Sequence, residues 1–355
     1  MSSRAEQVAR AILYEGYILY PYRPSSVKNQ HRWNFGVVYP PGSSDGAAAM
    51  QTQCLARVAS GGAAAMPVPE LDVKICFLHL LDRSIRELDI PVHELPQDGE
   101  PPSHPLQRLE CEGRMLQSWQ EGVEREILLP DCSLQDLMTA PRREHFSFAG
   151  SRTVEPLRNA QGDIAWLVVR EHQPLSGWLE VSAEDLGDDL VRLTVVVQNT
   201  CPPLSGTPGP RDAVLLRSFA SAHKILTVRG ADFLSLIDPP ESCHHAAEAC
   251  RNIGTWPVLA GEADQRDTML SSPIILYDYP QIAPESPGDL CDGTEIDEIL
   301  SLRILTLTDE EKREMRQSDE RGRRILERTE TLPEEQWLKL HGILRGLRPA
   351  TEVIQ

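Results

Sequence analysis

A short segment of the chain concentrates side chains that bind transition metals: Cys243, His244, His245, Glu248 and Cys250. On a helix, residues four positions apart share a face, which would bring His244 and Glu248 together. Zinc, nickel and iron are bound by such thiolate, imidazole and carboxylate groups. The two cysteines are separated by six residues, however, rather than by the two to four typical of a zinc knuckle. We therefore predict no cofactor. A zinc, nickel or iron site remains the alternative to a short polar helix whose cysteines face the core.

A second group of candidate residues is an acidic block, in which six carboxylates occur within 14 positions near the C-terminus. Three of them directly follow Thr294 and would make a favourable helix start, because carboxylates complement the helix dipole there. Docking of a basic partner protein is the second interpretation. A calcium or magnesium site is the third, although the twelve-residue calcium-loop pattern is absent. The predicted partner-binding residues are Glu285, Asp289, Asp292, Glu295, Asp297 and Glu298.

A basic and aromatic segment near the N-terminus is the third candidate. Its positive charges and aromatic rings could bind an anionic ligand or the C-terminal carboxylate of a partner protein. The alternative, which we favour, is a charged strand edge backed by aromatic core residues. The residues concerned are Arg23, Lys28, His31, Arg32 and Trp33.

Catalytic signatures are weak in this sequence. Gly42-Ser-Ser-Asp-Gly46 matches G-x-S-x-G, but Pro40-Pro41 separates it from the preceding strand, whereas a nucleophile elbow turns directly from strand to helix. Ser221-Ala-His-Lys224 matches S-x-x-K without the K-T-G that accompanies it in enzymes. P-loop, Rossmann and zincin motifs are absent. An enzyme of an unrecognised class remains an alternative, with first candidates Ser44, His223, Asp238 and the acids from Glu285 to Glu298.

Composition limits the possible partners. The 355 residues carry a formal net charge of -18, and nucleic acid or an anionic membrane would repel such a polyanion. No apolar stretch approaches the length of about 18 residues that a transmembrane helix needs, and the N-terminus lacks a secretory signal. The eight cysteines are scattered and fit reduced thiols. We therefore expect a cytoplasmic protein without direct membrane insertion, whose partner is another protein.

The pattern of apolar residues favours β-structure over the middle of the chain. Leu190–Asn199 is the clearest predicted strand, rich in Val and Leu, and similar runs are separated by turns rich in Pro and Gly. This spacing predicts an antiparallel β-sandwich. Thr308 and Glu311 form a capping box that predicts the start of a C-terminal helix.

We predict an α+β fold in which a central antiparallel β-sandwich carries a small N-terminal α/β segment and a helical C-terminal region. The predicted boundaries are 1–69 for the N-terminal segment, 70–240 for the sandwich, 241–347 for the mixed, mainly helical C-terminal region and 348–355 for a tail.

Several individual segments carry separate predictions. Ala47–Ser60 fits a helix or a strand, and the pattern does not decide between them. Ala213–Phe219 and Ser271–Tyr279 are predicted strands, Gln97–His104 a polar surface loop, and Ser242–Asn252 a short helix.

Six further segments of the chain are informative together: Ile12–Tyr17, Tyr20–Gln30, Trp33–Gly36, Phe233–Pro240, Gly254–Leu259 and Ser271–Arg316. They resemble a bacterial protein family encoded beside nickel–iron uptake hydrogenases and their maturation factors. The resemblance spans nearly the whole chain and implies an accessory role in assembly or maturation of a hydrogenase, with a hydrogenase subunit or a maturation factor as partner. The family supplies no catalytic residue set, so the sequence favours a non-catalytic role while leaving activity open.

Overall fold

Two antiparallel β-sheets packed face to face form the body of the chain in a computed structural model. The structure describes residues 4–13, 36–58, 68–111, 114–203, 211–262, 265–281, 304–317, 323, 326–327 and 329–331. The strands are β1 (Ala49–Val58), β2 (Glu70–Val92), β3 (Ser103–Leu106), β4 (Arg108–Cys111), β5 (Arg114–Gln117), β6 (Trp119–Ser133), β7 (Arg142–Phe148), β8 (Ser151–Arg158), β9 (Ile164–His172), β10 (Leu175–Gly187), β11 (Leu190–Asn199), β12 (Phe219–Arg229), β13 (Ala231–Leu234), β14 (Trp256–Leu259) and β15 (Thr268–Ser272). The helices are α1 (Arg4–Leu13), α2 (Leu134–Thr139), α3 (Arg211–Leu215), α4 (His244–Glu248) and α5 (Asp309–Gln317), and a 3₁₀ turn covers Glu241–Cys243.

The smaller sheet has the order β13-β1-β11-β10-β7 and the larger one β14-β15-β12-β2-β9-β8. Strands β3 and β6 also pair with the long strand β2, and β4 pairs with β5 as a separate hairpin. The sheet-dominated α+β prediction is confirmed. The helical C-terminal region is not clearly shown, although α5 follows the predicted capping box. Thr308 N–H donates to Glu311 Oε2 at 2.7 Å, and Glu311 N–H donates to Thr308 Oγ1 at 3.3 Å.

The core fills the space between the two sheets. Along β11 the side chains of Leu193, Val195 and Val197 are buried, and those between them are half-buried, as the period of two requires. Aromatic rings from both sheets meet in the same layer, with the ring centroids of Phe146 on β7 and Phe219 on β12 5.5 Å apart. This layer contributes apolar burial that stabilises the sandwich.

Strand membership crosses the predicted domain boundaries. The segment that fitted either a helix or a strand is β1, which pairs with β11 over nine residues and with β13 on its other edge. Strands β14 and β15 lie beyond residue 240 and extend the larger sheet next to β12. The sandwich therefore draws its strands from three predicted parts of the chain, because sheet pairing joins segments distant in sequence.

Two strand predictions and one loop prediction need correction. The segment Ala213–Phe219 begins inside helix α3, which ends at Leu215, and β12 begins only at Phe219. Between them the Ser218 hydroxyl donates to Val214 O. Strand β15 ends at Ser272, because Pro273 has no N–H to continue the ladder. The predicted loop Gln97–His104 already contains the start of β3. The predicted short helix at Ser242–Asn252 is present as the 3₁₀ turn and α4.

Helix α1 packs on the outer face of the larger sheet. Its apolar stripe of Ala5, Val8, Ala9 and Ile12 is buried against Ile225, Val258, Leu270 and Leu276. In the described residues no helix has both the length and the apolar character needed to cross a bilayer. The outer face of the larger sheet is thus covered by an amphipathic helix.

Gly177 on β10 tests the packing of the core. A Cβ there would lie 2.7 Å from Phe146 Cζ, 2.8 Å from Phe219 Cζ and 2.6 Å from Gln198 O. We expect Gly177→Ala to lower the free energy of unfolding by about 1–3 kcal/mol, because the rings and backbone must move apart. Urea denaturation measures the loss.

Gly261→Ala is the matched control, since its nearest neighbour would be Gln265 Cβ at 3.7 Å, an ordinary contact. The control variant should unfold within about 0.5 kcal/mol of the wild type. Equal stability of both variants would show that the aromatic layer is packed loosely at β10.

Candidate functional site

The most exposed large apolar side chains near the end of the sandwich belong to a short segment after β15, Ile274–Tyr279. Ile275 is 72% exposed and Tyr277 is 84% exposed. Leu276 between them is buried against α1, and Ile274 packs against the same cluster. The alternation therefore directs two large apolar groups into solvent from a segment whose intervening side chains are held by the core.

Hydrogen bonds fix this exposed segment to the larger sheet. The Asp278 carboxylate accepts the N–H of Leu259 at 2.8 Å and the hydroxyl of Ser235. Tyr279 donates its N–H to Leu259 O at 2.7 Å. Tyr279 has a φ of 56°, a left-handed conformation that non-glycine residues adopt only when their surroundings impose it. Tyr277 is thus presented by a fixed backbone.

A neighbouring turn adds a third apolar side chain. Ser235, which binds Asp278, also accepts the N–H groups of Ile237 at 3.1 Å and Asp238 at 2.9 Å through its Oγ. Ile237 is 52% exposed on this turn. We call Ile237, Ile275 and Tyr277 the apolar patch. The turn and the segment after β15 are joined by the hydrogen bond between Ser235 and Asp278. Exposed apolar groups on a rigid surface are typical of protein-binding sites.

A buried hydroxyl network lies under the strands that carry the patch. Ser271 Oγ on β15 is 2.7 Å from both Thr52 Oγ1 on β1 and Thr255 Oγ1 just before β14. Lys224 on β12 donates its ammonium or amine N–H to Thr52 Oγ1 at 3.1 Å. Burial lowers the pKa of Lys224 to about 7. These bonds tie the two sheets together at the edge next to β14.

The candidate metal ligands between Cys243 and Cys250 do not point toward a common centre. Cys243 is buried and accepts an N–H from Arg57 at 3.1 Å, and Cys250 is half-buried. His244, His245 and Glu248 point to solvent from the exposed face of α4. In the described part of the chain no group of three or more His, Cys, Asp or Glu side chains could hold a metal ion. The arrangement matches a short polar helix with its cysteines toward the core.

The candidates for an unrecognised enzyme lie apart. Ser44 is in an exposed turn, Asp238 is exposed beside the apolar patch, and His223 is buried on the outer face of the larger sheet. No hydrogen bond links any two of these three residues within the described structure. Lys224 faces the inner core and binds Thr52, so the S-x-x-K match does not place its amine on Ser221.

Two predicted sites lie outside the described residues. One is the acidic block, with Glu285, Asp289, Asp292, Glu295, Asp297 and Glu298. The other is the basic and aromatic segment, with Arg23, Lys28, His31, Arg32 and Trp33.

The apolar patch and the Lys224 network were not predicted from the sequence. The prolines at 273 and 280 bracket Ile274–Tyr279 and are the signal that this segment leaves the sheet. Lys224 stands out only as the one lysine in the apolar run from His223 to Val228. Neither signal indicates which side chains face solvent, because burial depends on strands distant in sequence.

The Lys224 amine should make stability depend on pH. Its pKa is about 7 in the folded chain against an ordinary value of 10.5, so the unfolded chain binds more protons between these values. The free energy of unfolding therefore rises with pH between these two values, by up to about 1.4 kcal/mol per pH unit. The stability that the neutral Lys224 amine allows is complete above pH 10.5 and is lost as pH falls toward 7. We expect Lys224→Met to raise the free energy of unfolding at pH 7 by about 1–3 kcal/mol. Its stability should also change less than that of the wild type between pH 7 and 9.

Lys74→Met is the matched control, because Lys74 is half-buried but is paired with carboxylates. Lys74 Nζ lies 3.0 Å from Glu6 Oε1 and 3.1 Å from Glu126 Oε2, so removing it should lower stability and leave the pH slope unchanged. A Lys224→Met protein that is less stable than the wild type, with the wild-type slope, would contradict a neutral buried amine. Urea denaturation at several pH values distinguishes the two results.

Comparison with known proteins adds no family assignment. No protein-family model matches this chain, and no curated protein matches it. The resemblance to hydrogenase-associated proteins accordingly stays a prediction.

Proposed function

We propose that this protein is a non-catalytic accessory protein that binds a partner through the apolar patch and the acidic block. The observation that carries the proposal is the fixed display of Tyr277, which is 84% exposed although both neighbouring residues are anchored. An aromatic side chain held in this way can enter a pocket of a partner without first losing backbone freedom. Tyr is among the residues that contribute most to binding energy at interfaces.

The apolar patch has the composition of an interface centre. Two aliphatic side chains and one aromatic ring leave water on binding, and the driving force grows with the apolar area buried. The Tyr277 hydroxyl can keep a hydrogen bond at the rim of a pocket while its ring is buried. A complementary partner surface therefore offers an apolar pocket lined at its edge by hydrogen-bond acceptors or water.

Charge supplies the second part of the recognition. The chain has a net charge of -18, and the acidic block begins shortly after Tyr279 in the sequence. A partner whose pocket is surrounded by Lys and Arg would be attracted over a distance of about one Debye length, roughly 8–10 Å at physiological salt. Electrostatic attraction of this kind raises the association rate and aligns the two surfaces.

The resemblance indicates the partner. A hydrogenase subunit or a maturation factor of the cytoplasm is the protein we expect to carry the basic rim and apolar pocket. In this role the chain acts by contact, either holding an assembly intermediate or presenting it to another factor. No chemical step is assigned to it.

Replacing the patch should weaken binding of that partner. We expect Ile275→Ser combined with Tyr277→Ser to lower the affinity about tenfold or more, because interface anchors contribute about 2 kcal/mol or more when truncated. Purified hydrogenase subunits and maturation factors, tested one at a time by biolayer interferometry, provide the measurement. Circular dichroism verifies that the variant keeps its fold.

Ile90→Ser is the matched control, since Ile90 is 75% exposed near the end of β2 and outside the patch. Its affinity should stay within about twofold of the wild type. The proposal fails if no hydrogenase component binds the wild-type chain. It also fails if the patch variant and the Ile90 variant bind a hydrogenase component equally well.

Neutralising the acidic block should change the kinetics of binding more than the lifetime of the complex. We expect the six substitutions to amides to lower the association rate about tenfold at low salt and to flatten its salt dependence. The substituted positions are Glu285, Asp289, Asp292, Glu295, Asp297 and Glu298. Unchanged association rates across a salt series would remove the block from the interface.

A further inference from the structure

Two histidine side chains meet where the chain crosses between the two sheets. His79 of β2 and His172 at the end of β9 have their ring centroids 4.7 Å apart. Strand β7 of the smaller sheet ends at Phe148, and β8 of the larger sheet begins at Ser151. The next crossing, from β9 to β10, directly follows His172. Two connections between the sheets therefore lie beside one pair of imidazole rings.

Each ring contacts one of these crossings. His79 Nε2 lies 2.9 Å from the carbonyl oxygen of Gln173, in the connection that leads from β9 to β10. His172 Nδ1 lies 3.1 Å from Ser151 Oγ, at the start of β8. Ser151 and His172 are also direct partners in the pairing of β8 with β9. The two rings thus connect the larger sheet to both crossings.

The neutral form of His79 fits these surroundings, whereas its protonated form does not. The Gln173 oxygen can only accept, so Nε2 carries the proton and Nδ1 presents a lone pair. His79 is fully buried, and its Nδ1 has no hydrogen-bond partner in the described residues. A second proton would place a charged donor in the interior without an acceptor. His172 Nε2 is likewise buried without a partner in the described part of the chain.

The charges around the pair are mainly those of arginines. The Arg125 guanidinium lies over the Phe148 ring at 4.8 Å, and its Nε has no hydrogen-bond partner among the residues described. Carboxylates on this side of the larger sheet are already held by arginine side chains at 2.9–3.3 Å. The charged groups on the surrounding strands are Arg83 of β2, Glu121 and Arg125 of β6, Glu144 of β7, Glu155 of β8 and Arg170 of β9.

These surroundings disfavour the protonated form of both rings. Burial lowers the pKa of His79 to about 4, and the Gln173 oxygen offsets the effect only in part. Burial and the Arg125 charge also lower the pKa of His172. An ordinary histidine has a pKa of 6.5, so the unfolded chain binds more protons than the folded one below that value. The stability that the neutral rings allow is therefore complete well above pH 6.5 and is lost as pH falls toward 4.

We infer that His79 and His172 form an acid-sensitive latch between the two sheets. While both rings are neutral, they hold the crossings from β7 to β8 and from β9 to β10. Protonation adds like charges beside Arg125 and releases the crossings, as happens in histidine-based pH switches. The ring centroid of Phe148 lies 6.0 Å from that of Phe77 in the core, so release of the crossing from β7 exposes the aromatic layer. The latch contains no residue of the apolar patch, and its test does not depend on the proposed function.

Hydrogen–deuterium exchange, followed by mass spectrometry on the full chain at pH 7.0 and pH 5.0, tests the latch. After correction for the intrinsic pH dependence of amide exchange, we expect opening at residues 148–151 and 172–175 to increase about tenfold or more at pH 5.0. Linkage to one histidine with the pKa values of His79 is enough for a change of this size. Peptides from β11, at the centre of the smaller sheet, should change by a much smaller factor. A change below about twofold at the crossings, or an equal change in β11, overturns the inference.

His79→Gln combined with His172→Gln removes both titrating rings and keeps side chains that can form hydrogen bonds. The readout is the ratio of opening between the two pH values, so a variant that packs less well still tests the latch. We expect this ratio to fall to about two or less. His145→Gln, at an exposed position of β7, is the matched control and should keep the wild-type ratio. His223, a buried histidine on the outer face, is unchanged in both variants. A double variant that keeps the wild-type ratio, or a control that loses it equally, contradicts the latch.

Discussion

Strand β2 is the element on which the rest of the structure depends. Its 23 residues pair with β12 and β6 along the first half and with β9, β6 and β3 along the second. Because side chains alternate along a strand, one face of β2 places Ile75 and Phe77 in the core. The other face places Lys74 and Cys76 beneath α1. A shift of one residue would exchange these faces, so the register of β2 fixes both the core and the surface on which α1 packs.

The contact between the two sheets combines apolar packing with one polar bridge. Thr52 belongs to the smaller sheet, and Ser271 and Lys224 belong to the larger one, so their hydrogen bonds cross the core. Apolar side chains alone would tolerate small sliding of one sheet on the other. A satisfied buried network tolerates less, since any shift leaves a polar group without its partner. This bridge also fixes β15, from which the exposed segment departs.

The buried titratable side chains and the exposed apolar side chains of this protein differ in their surroundings. His223, Lys224 and Cys76 are buried, and burial keeps each of them in its neutral form near pH 7 or just above it. The apolar patch is the opposite case, because Tyr277 is exposed although its backbone is held in place. Rigid display of apolar groups together with a strongly negative chain suits recognition of another protein.

Local sequence determined several elements of this protein. The predicted strand Leu190–Asn199 coincides with β11 residue for residue, because a short run rich in Val and Leu and followed by a proline turn is recognisable from its own composition. The capping box at Thr308 and Glu311 is likewise local, since both partners lie within one turn. The antiparallel sandwich followed from many such runs separated by turns.

Only the tertiary structure decided which segments share a sheet and which side chains stay in water. Strand β1 was ambiguous by itself and became a strand through its pairing with β11. The segment after β15 was predicted to be a strand, but Pro273 and the contacts of Asp278 with Leu259 and Ser235 hold it off the ladder. The burial of His223 depends on the register shift between β12 and β2 and on the packing of α1, which lie far apart in the chain. Burial is a property of these distant contacts, and for that reason the sequence pattern alone could not provide it.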